Sequence, residues 1–129
     1  MTAQNLAYLG DAVFELSVRK MLLSNGERPQ AALNHLAKRY VSAKAQAAMY
    51  HAVSEMLTDD ERDILRRGRN AHPNTKAKNA SMGDYRHATG LEALFGWLYL
   101  TGQVSRLDEV FTKCAAVASD TYNNYDIDI

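Results

Sequence analysis

At 129 residues the chain is long enough to bury one core and too short for a second, and a single cysteine excludes an internal disulfide framework. Hydrophobic residues make up 47% and charged residues 23%, a globular balance, and no apolar run approaches the roughly 18 residues of a helical membrane span. Fifteen basic and fifteen acidic residues cancel, which excludes a general affinity for polyanions, but the charge is unevenly placed: between Arg66 and His87 six Lys or Arg face one acid, Asp84.

Taken in chain order, the spacing predicts six helices in one domain covering 1–129, and the fold class is all-α. The first helix runs from about Asn5 to Ser24 and stops at Asn25-Gly26. Pro29 suits the first turn of a second helix, with Ala32, Leu33, Leu36 and Tyr40 at helical spacing. Ser42 caps a third that reaches about Met56, and Thr58-Asp59-Asp60-Glu61 forms a capping box for a fourth that ends near Asn70. A basic loop of about residues 70–83 follows, lacking apolar periodicity. The fifth helix covers about Asp84 to Thr101 and is halted at Gly102. Ser105-x-x-Asp108 predicts the cap of a sixth, ending near Tyr122 before a polar, frayed tail. No signal peptide precedes the first helix, and the lone Cys114, in TKCAAVA, suits helix packing in a reducing cytoplasm.

Two acids stand out. The first helix reads LAYLGDAVFELSVRKMLL, and at 100° per residue Asp11 falls within about 20° of Val18 and Leu22, so it is expected to point into an apolar face. The fifth reads LEALFGWLYL, with Glu92 among Leu91, Leu94 and Phe95. An ionised carboxylate removed from water needs compensation, from a buried Arg or His, a helix cap, or a metal ion shared with another acid. Glycines flank both positions (Gly10; Gly90 and Gly96), which points to close helix packing or to room for a ligand. Glu15, one turn beyond Asp11, suits a surface salt bridge. The four histidines lack metal-ligand spacing.

These two segments carry a resemblance. Tyr8-Leu9-Gly10-Asp11-Ala12-Val13-Phe14-Glu15 resembles the signature helix of the ribonuclease III family, and Ala88 to Leu100, ATGLEALFGWLYL, resembles its second acidic helix. The likeness extends along the chain through RRGRNA and KAKNAS, and is strongest to the Mini-ribonuclease III branch, which has the catalytic domain and no double-stranded-RNA-binding domain. Of the four acids of full-length members, two fall on Asp11 and Glu92; the others fall on Ala7 and Thr89.

The resemblance implies a helical homodimer and an endoribonuclease that cuts double-stranded RNA to 5′-phosphate and 3′-hydroxyl ends. It assigns Asp11 and Glu92 as the catalytic and metal-binding carboxylates. The cofactor implied is Mg²⁺, with Mn²⁺ as an alternative, polarising the phosphate and activating a water. The substrate implied is precursor of large-subunit (23S) ribosomal RNA, with a ribosomal protein as a further partner that presents it. RNA contacts are expected from Arg66, Arg67, Arg69, Asn70, Lys76, Lys78, Asn79 and Tyr85, since A-form RNA is met through phosphates and 2′-hydroxyls. A non-catalytic RNA-binding module and a helical Mg²⁺-dependent nucleotide pyrophosphohydrolase are the rival classes.

Overall fold

A computed structural model describes residues 1–71 and 81–126, and within them it is all helical: α1 (Ala3–Ser24), α2 (Gln30–Val41), α3 (Ala43–Val53), a single 3-10 turn (Ser54–Met56), α4 (Asp59–Asn70), α5 (Met82–Leu100) and α6 (Val104–Asp126). The order and number of helices are those expected from the sequence. Their starts follow side-chain caps: Thr2 accepts from the Asn5 N–H, Ser42 from Ala45, Thr58 from Glu61 and Ser81 from Asp84. At Thr58 the capping box is complete, because Glu61 accepts from the Thr58 N–H in return.

Two boundaries differ from expectation. Helix α6 is not capped by Ser105: it begins at Val104, and the Gln103 carbonyl already accepts from the Leu107 N–H at 2.9 Å. The positive φ of Gly102 (72°) turns the chain one residue earlier than the Ser-x-x-Asp pattern suggests. Helix α6 also runs past Tyr122 to Asp126, while residues 127–129 of the tail lie outside the described residues.

Helix α5 is the centre of the fold. Leu91, Ala93, Leu94, Phe95 and Leu98 are fully buried, and α1, α3 and α4 all pack against α5. Its main core joins Phe14 and Val18 of α1, Met49 and Val53 of α3, and Val110 and Cys114 of α6. The Phe14 ring meets Phe95 edge-on, with centroids 5.2 Å apart, and Phe111 at 5.7 Å. A second, small cluster of Leu6, Ala7, Ile64 and Ala93 lies toward the start of α1.

Glycine sets how closely these helices approach. A Cβ on Gly10 would run into the Glu92 carbonyl, and one on Gly96 into the Leu6 carbonyl, so α1 and α5 touch backbone to backbone. Gly68 of α4 and Gly90 of α5 do the same for the next pair, where a Cβ on Gly68 would lie 2.7 Å from the Gly90 Cα. The glycines of α1 and α5 thus serve close packing, the first of the two roles their placement allowed.

Arg106 of α6 ties the start of α4 to the end of α3. Its guanidinium donates to both oxygens of Glu61 at 2.9 Å and to the Met56 carbonyl at 2.8 Å. Glu61 is buried, and the Arg106 hydrogen bonds hold its carboxyl below the ordinary glutamate range against the opposing effect of burial. A depressed acid stabilises the fold above its unfolded value and loses that contribution as pH falls through its folded value.

Two outcomes follow from this packing. Gly10→Ala is expected to destabilise by about 3 kcal/mol in urea unfolding, because backbone rather than a flexible side chain blocks the methyl. Arg106→Met, which strands a buried carboxylate, is expected to destabilise by about 3 kcal/mol at pH 7. That deficit should shrink as pH falls and Glu61 takes a proton; a deficit constant from pH 7 to pH 3 would contradict the ion-pair assignment.

Candidate active site

Asp11 and Glu92 come together on one side of the α1–α5 contact. Gly10 lies against the Glu92 backbone, so the next residue of α1 stands beside the Glu92 side chain. The two carboxyl groups are within hydrogen-bonding reach, and Glu92 is pushed up to about 9 by burial first, then by hydrogen bonding to Asp11 and by its charge. At neutral pH and without a cation, the protonated form of Glu92 is therefore favoured.

The expected burial of Asp11 is corrected by the structure. Asp11 is exposed, although Val18 and Leu22 on the same face are buried. Helical phase alone does not predict this. Val18 and Leu22 lie under the main core, and Leu6 and Ala7 under the small second cluster, so Asp11 falls in the gap between them. Glu92, by contrast, is half-buried. The site is thus open to solvent on the Asp11 side and enclosed on the Glu92 side.

Neither position flanking the pair adds a carboxylate. Ala7 is buried in the second cluster, and the Thr89 hydroxyl donates back to the Tyr85 carbonyl at 2.9 Å. Among the described residues no group of three or more His, Cys, Asp or Glu is placed to hold a metal ion. What is present is two hard oxygen donors side by side, one of them raised chiefly by burial and then by its acidic neighbour. That donor set fits a hard divalent cation that keeps several waters and takes only one or two carboxylates.

The basic residues separate into different settings. Arg66, Arg67, Arg69 and Asn70 occupy the last turn or so of α4, where Arg66 is paired with Asp63 at 2.5 Å and the Arg69 Nε donates to the Asn70 Oδ1 at 3.2 Å. Tyr85 is half-buried in the first turns of α5. Lys76, Lys78 and Asn79 lie outside the described residues. Glu15 pairs with Arg19 at 2.8 Å, as its spacing suggested, and takes no part in the carboxylate pair. Cys114 is fully buried, and desolvation pushes its thiol up to about 12, which removes it as a nucleophile. A groove of about 760 Å³ lies between the C-terminal half of α1 and α2 and does not include the pair. No helix among the described residues is long and apolar enough to cross a membrane.

The helical domain brings two carboxylates together from two glycine-packed helices, a donor pair of the kind divalent cations take. Residues 4–103 match the Ribonuclease III domain family. Mini-ribonuclease 3 of Enterococcus faecalis is 46% identical over 118 residues, covering 90% of this chain and 89% of that protein. Mini-ribonuclease 3 of Symbiobacterium thermophilum is 48% identical over 110 residues, 85% of each chain. A solved structure of a protein from Fusobacterium nucleatum superposes with a TM-score of 0.79 at 31% identity, covering 86% of this chain and 90% of that one. The chain belongs to the ribonuclease III family, in its Mini-ribonuclease 3 branch. It is an endoribonuclease of that type, and the family acts on double-stranded RNA with the help of divalent metal.

The raised Glu92 carboxyl sets a pH dependence. A group whose folded value is raised stabilises fully below its unfolded value and loses that contribution as pH rises toward the folded one, here from about 4.5 to about 9. Metal-free protein should therefore lose stability across that interval, and Glu92→Gln should melt several degrees higher than the parent at pH 9 in EDTA. Mg²⁺ should raise the melting temperature of the parent, increasingly with pH, and leave Glu92→Gln nearly unchanged. A parent whose stability is flat from pH 5 to pH 9 would refute the raised carboxyl.

Proposed function

We propose that Asp11 and Glu92 are the catalytic and metal-binding residues of a Mg²⁺-dependent hydrolysis of double-stranded RNA, with Mn²⁺ able to substitute. The observation that carries the reading is the contact of these two acids across the α1–α5 packing, with Glu92 held at about 9. Burial and Asp11 are what act on the Glu92 carboxyl, and no basic side chain is among its causes. Asp11 faces solvent, where a phosphate can arrive, and Glu92 anchors the inner side from a helix whose Leu91, Ala93, Leu94 and Phe95 are buried. Entry of the cation requires Glu92 to release its proton, which couples binding to pH. When bound, the ion supplies Lewis-acid polarisation of the scissile phosphate and a more acidic water, yielding 5′-phosphate and 3′-hydroxyl ends. The Gly10 and Gly96 contacts keep the two carboxylates from drifting apart, so little reorganisation accompanies the reaction.

The working unit in this proposal is a homodimer of single-domain chains, each site cutting one strand. An exposed apolar stripe on α1 supports it: Tyr8, Leu16 and Leu23 are 87%, 65% and 56% exposed and lie within about 80° of one another around the helix. The natural substrate proposed is precursor of 23S ribosomal RNA in the cytoplasm, presented with a ribosomal protein. Arg66, Arg67, Arg69, Asn70, Lys76, Lys78, Asn79 and Tyr85 are proposed to meet the duplex; those within α4 share one helix end.

The deciding experiment is cleavage of a labelled RNA duplex with Mg²⁺ by the parent, Asp11→Asn and Glu92→Gln. Both variants should fold and bind RNA, yet cut at rates lower by on the order of 100-fold or more. Undiminished cutting by Asp11→Asn would overturn the assignment.

A further inference from the structure

Two histidines far apart in sequence meet where α3 packs on α5. His51, in the last turn of α3, and His87, in the second turn of α5, hold their ring centroids 4.6 Å apart with the planes tilted by 51°. The Tyr50 ring meets both edge to face, at 5.4 Å from His51 and 4.6 Å from His87. Tyr50 is buried, and its ring lies so close to Gly90 that a Cβ there would stand 2.9 Å from it. A fixed aromatic wall thus backs the two imidazoles.

Their nitrogens are prepared unequally. The Nδ1 of His87 lies 2.7 Å from the Gly83 carbonyl oxygen, which can only accept. Nδ1 therefore carries a hydrogen, and in the neutral ring the lone pair is left on Nε2. A backbone carbonyl that takes one ring N–H is the usual outer support of a metal-bound histidine: it fixes the tautomer and the ring orientation and makes the other nitrogen more basic. His51 is exposed, and its ring nitrogens have no hydrogen-bond partner among the described residues, so it is able to turn about its own side-chain bonds. Two imidazoles that share a tetrahedral ion through bonds of about 2.0–2.1 Å have ring centres roughly 5 Å apart, close to the separation of this pair.

We propose that His51 and His87 form a metal site distinct from the carboxylate pair, a two-imidazole clamp for a borderline divalent transition-metal ion such as Zn²⁺, with water completing the coordination. Donor chemistry separates the two sites. Imidazole nitrogen suits Zn²⁺, Ni²⁺ and Cu²⁺, whereas Mg²⁺ takes oxygen. No third His, Cys, Asp or Glu joins the histidines among the described residues, so the clamp is an open site with an exchangeable ion rather than a closed structural centre. The ion bridges α3 to the helix that carries Glu92, and because the two rings meet only in the folded chain, binding stabilises the fold.

The test is a Zn²⁺ titration of the Asp11→Asn, Glu92→Gln double variant, in which the carboxylate pair is neutralised, followed by calorimetry and by the ring-proton NMR signals of the histidines. One equivalent of Zn²⁺ should bind, shift the His51 and His87 signals together and raise the melting temperature by several degrees at saturation. Adding His51→Gln or His87→Gln, each checked for folding by circular dichroism, should weaken binding at least tenfold. His35→Gln, on α2, should leave binding unchanged, and millimolar Mg²⁺ should move neither signal. A titration with no bound equivalent, undiminished binding by either His51→Gln or His87→Gln, or Mg²⁺ shifting the two signals as Zn²⁺ does would overturn the clamp.

Discussion

Helices α1 and α5 meet backbone to backbone because Gly10 and Gly96 carry no Cβ at the crossing. Much of the remaining architecture depends on that approach. It lets Phe14 reach Phe95 and Phe111 in the main core, and it brings the residue after Gly10 level with Glu92. A helix pair separated by ordinary side chains would stand roughly 8–10 Å apart and would hold two short carboxylates less closely. The same device recurs at Gly68 and Gly90, which seats α4 against α5 and fixes where its basic end emerges.

The domain contains two acids removed wholly or partly from water, and it treats them in opposite ways. Glu61 has almost no solvent-exposed surface, yet its carboxyl lies below the usual range because Arg106 and the Thr58 N–H surround it. Glu92 is raised to about 9 by burial first and then by its acidic neighbour Asp11. The first arrangement locks α6 to the capped start of α4. The second is a juxtaposition of two acids that a cation would relieve, which is what makes the pair a candidate functional site.

The surface around the pair is graded in a way that suits a long polyanion. Outward from Asp11 along α1 come Ala7 and then Gln4, and across from them the end of α4 brings Arg67 and Asn70. Arg66 turns aside to Asp63, so sequence neighbours within RRGRN serve different ends. In a chain of zero net charge, any attraction for a polyanion has to come from such local placement rather than from overall potential.

Sequence alone determined the helical class, the number of helices and most of their starts, because caps such as Thr58-x-x-Glu61 and Ser42 act through bonds three residues away. It also carried the two acids and their glycines, since charged and Cβ-less residues inside apolar helices conflict with local preference. Tertiary structure decided what local pattern cannot reach. Ser105 matched a cap, but the turn at Gly102 and Gln103 had already begun the helix. Asp11 shared the phase of Val18 and Leu22, but its exposure depended on a gap between two clusters built by other helices. The Glu61–Arg106 pair, 45 residues apart, had no periodic signal at all. The two carboxylates named from sequence are therefore the ones the fold brings together, while the cause of their juxtaposition, a glycine contact between helices some 80 residues apart, exists only in three dimensions.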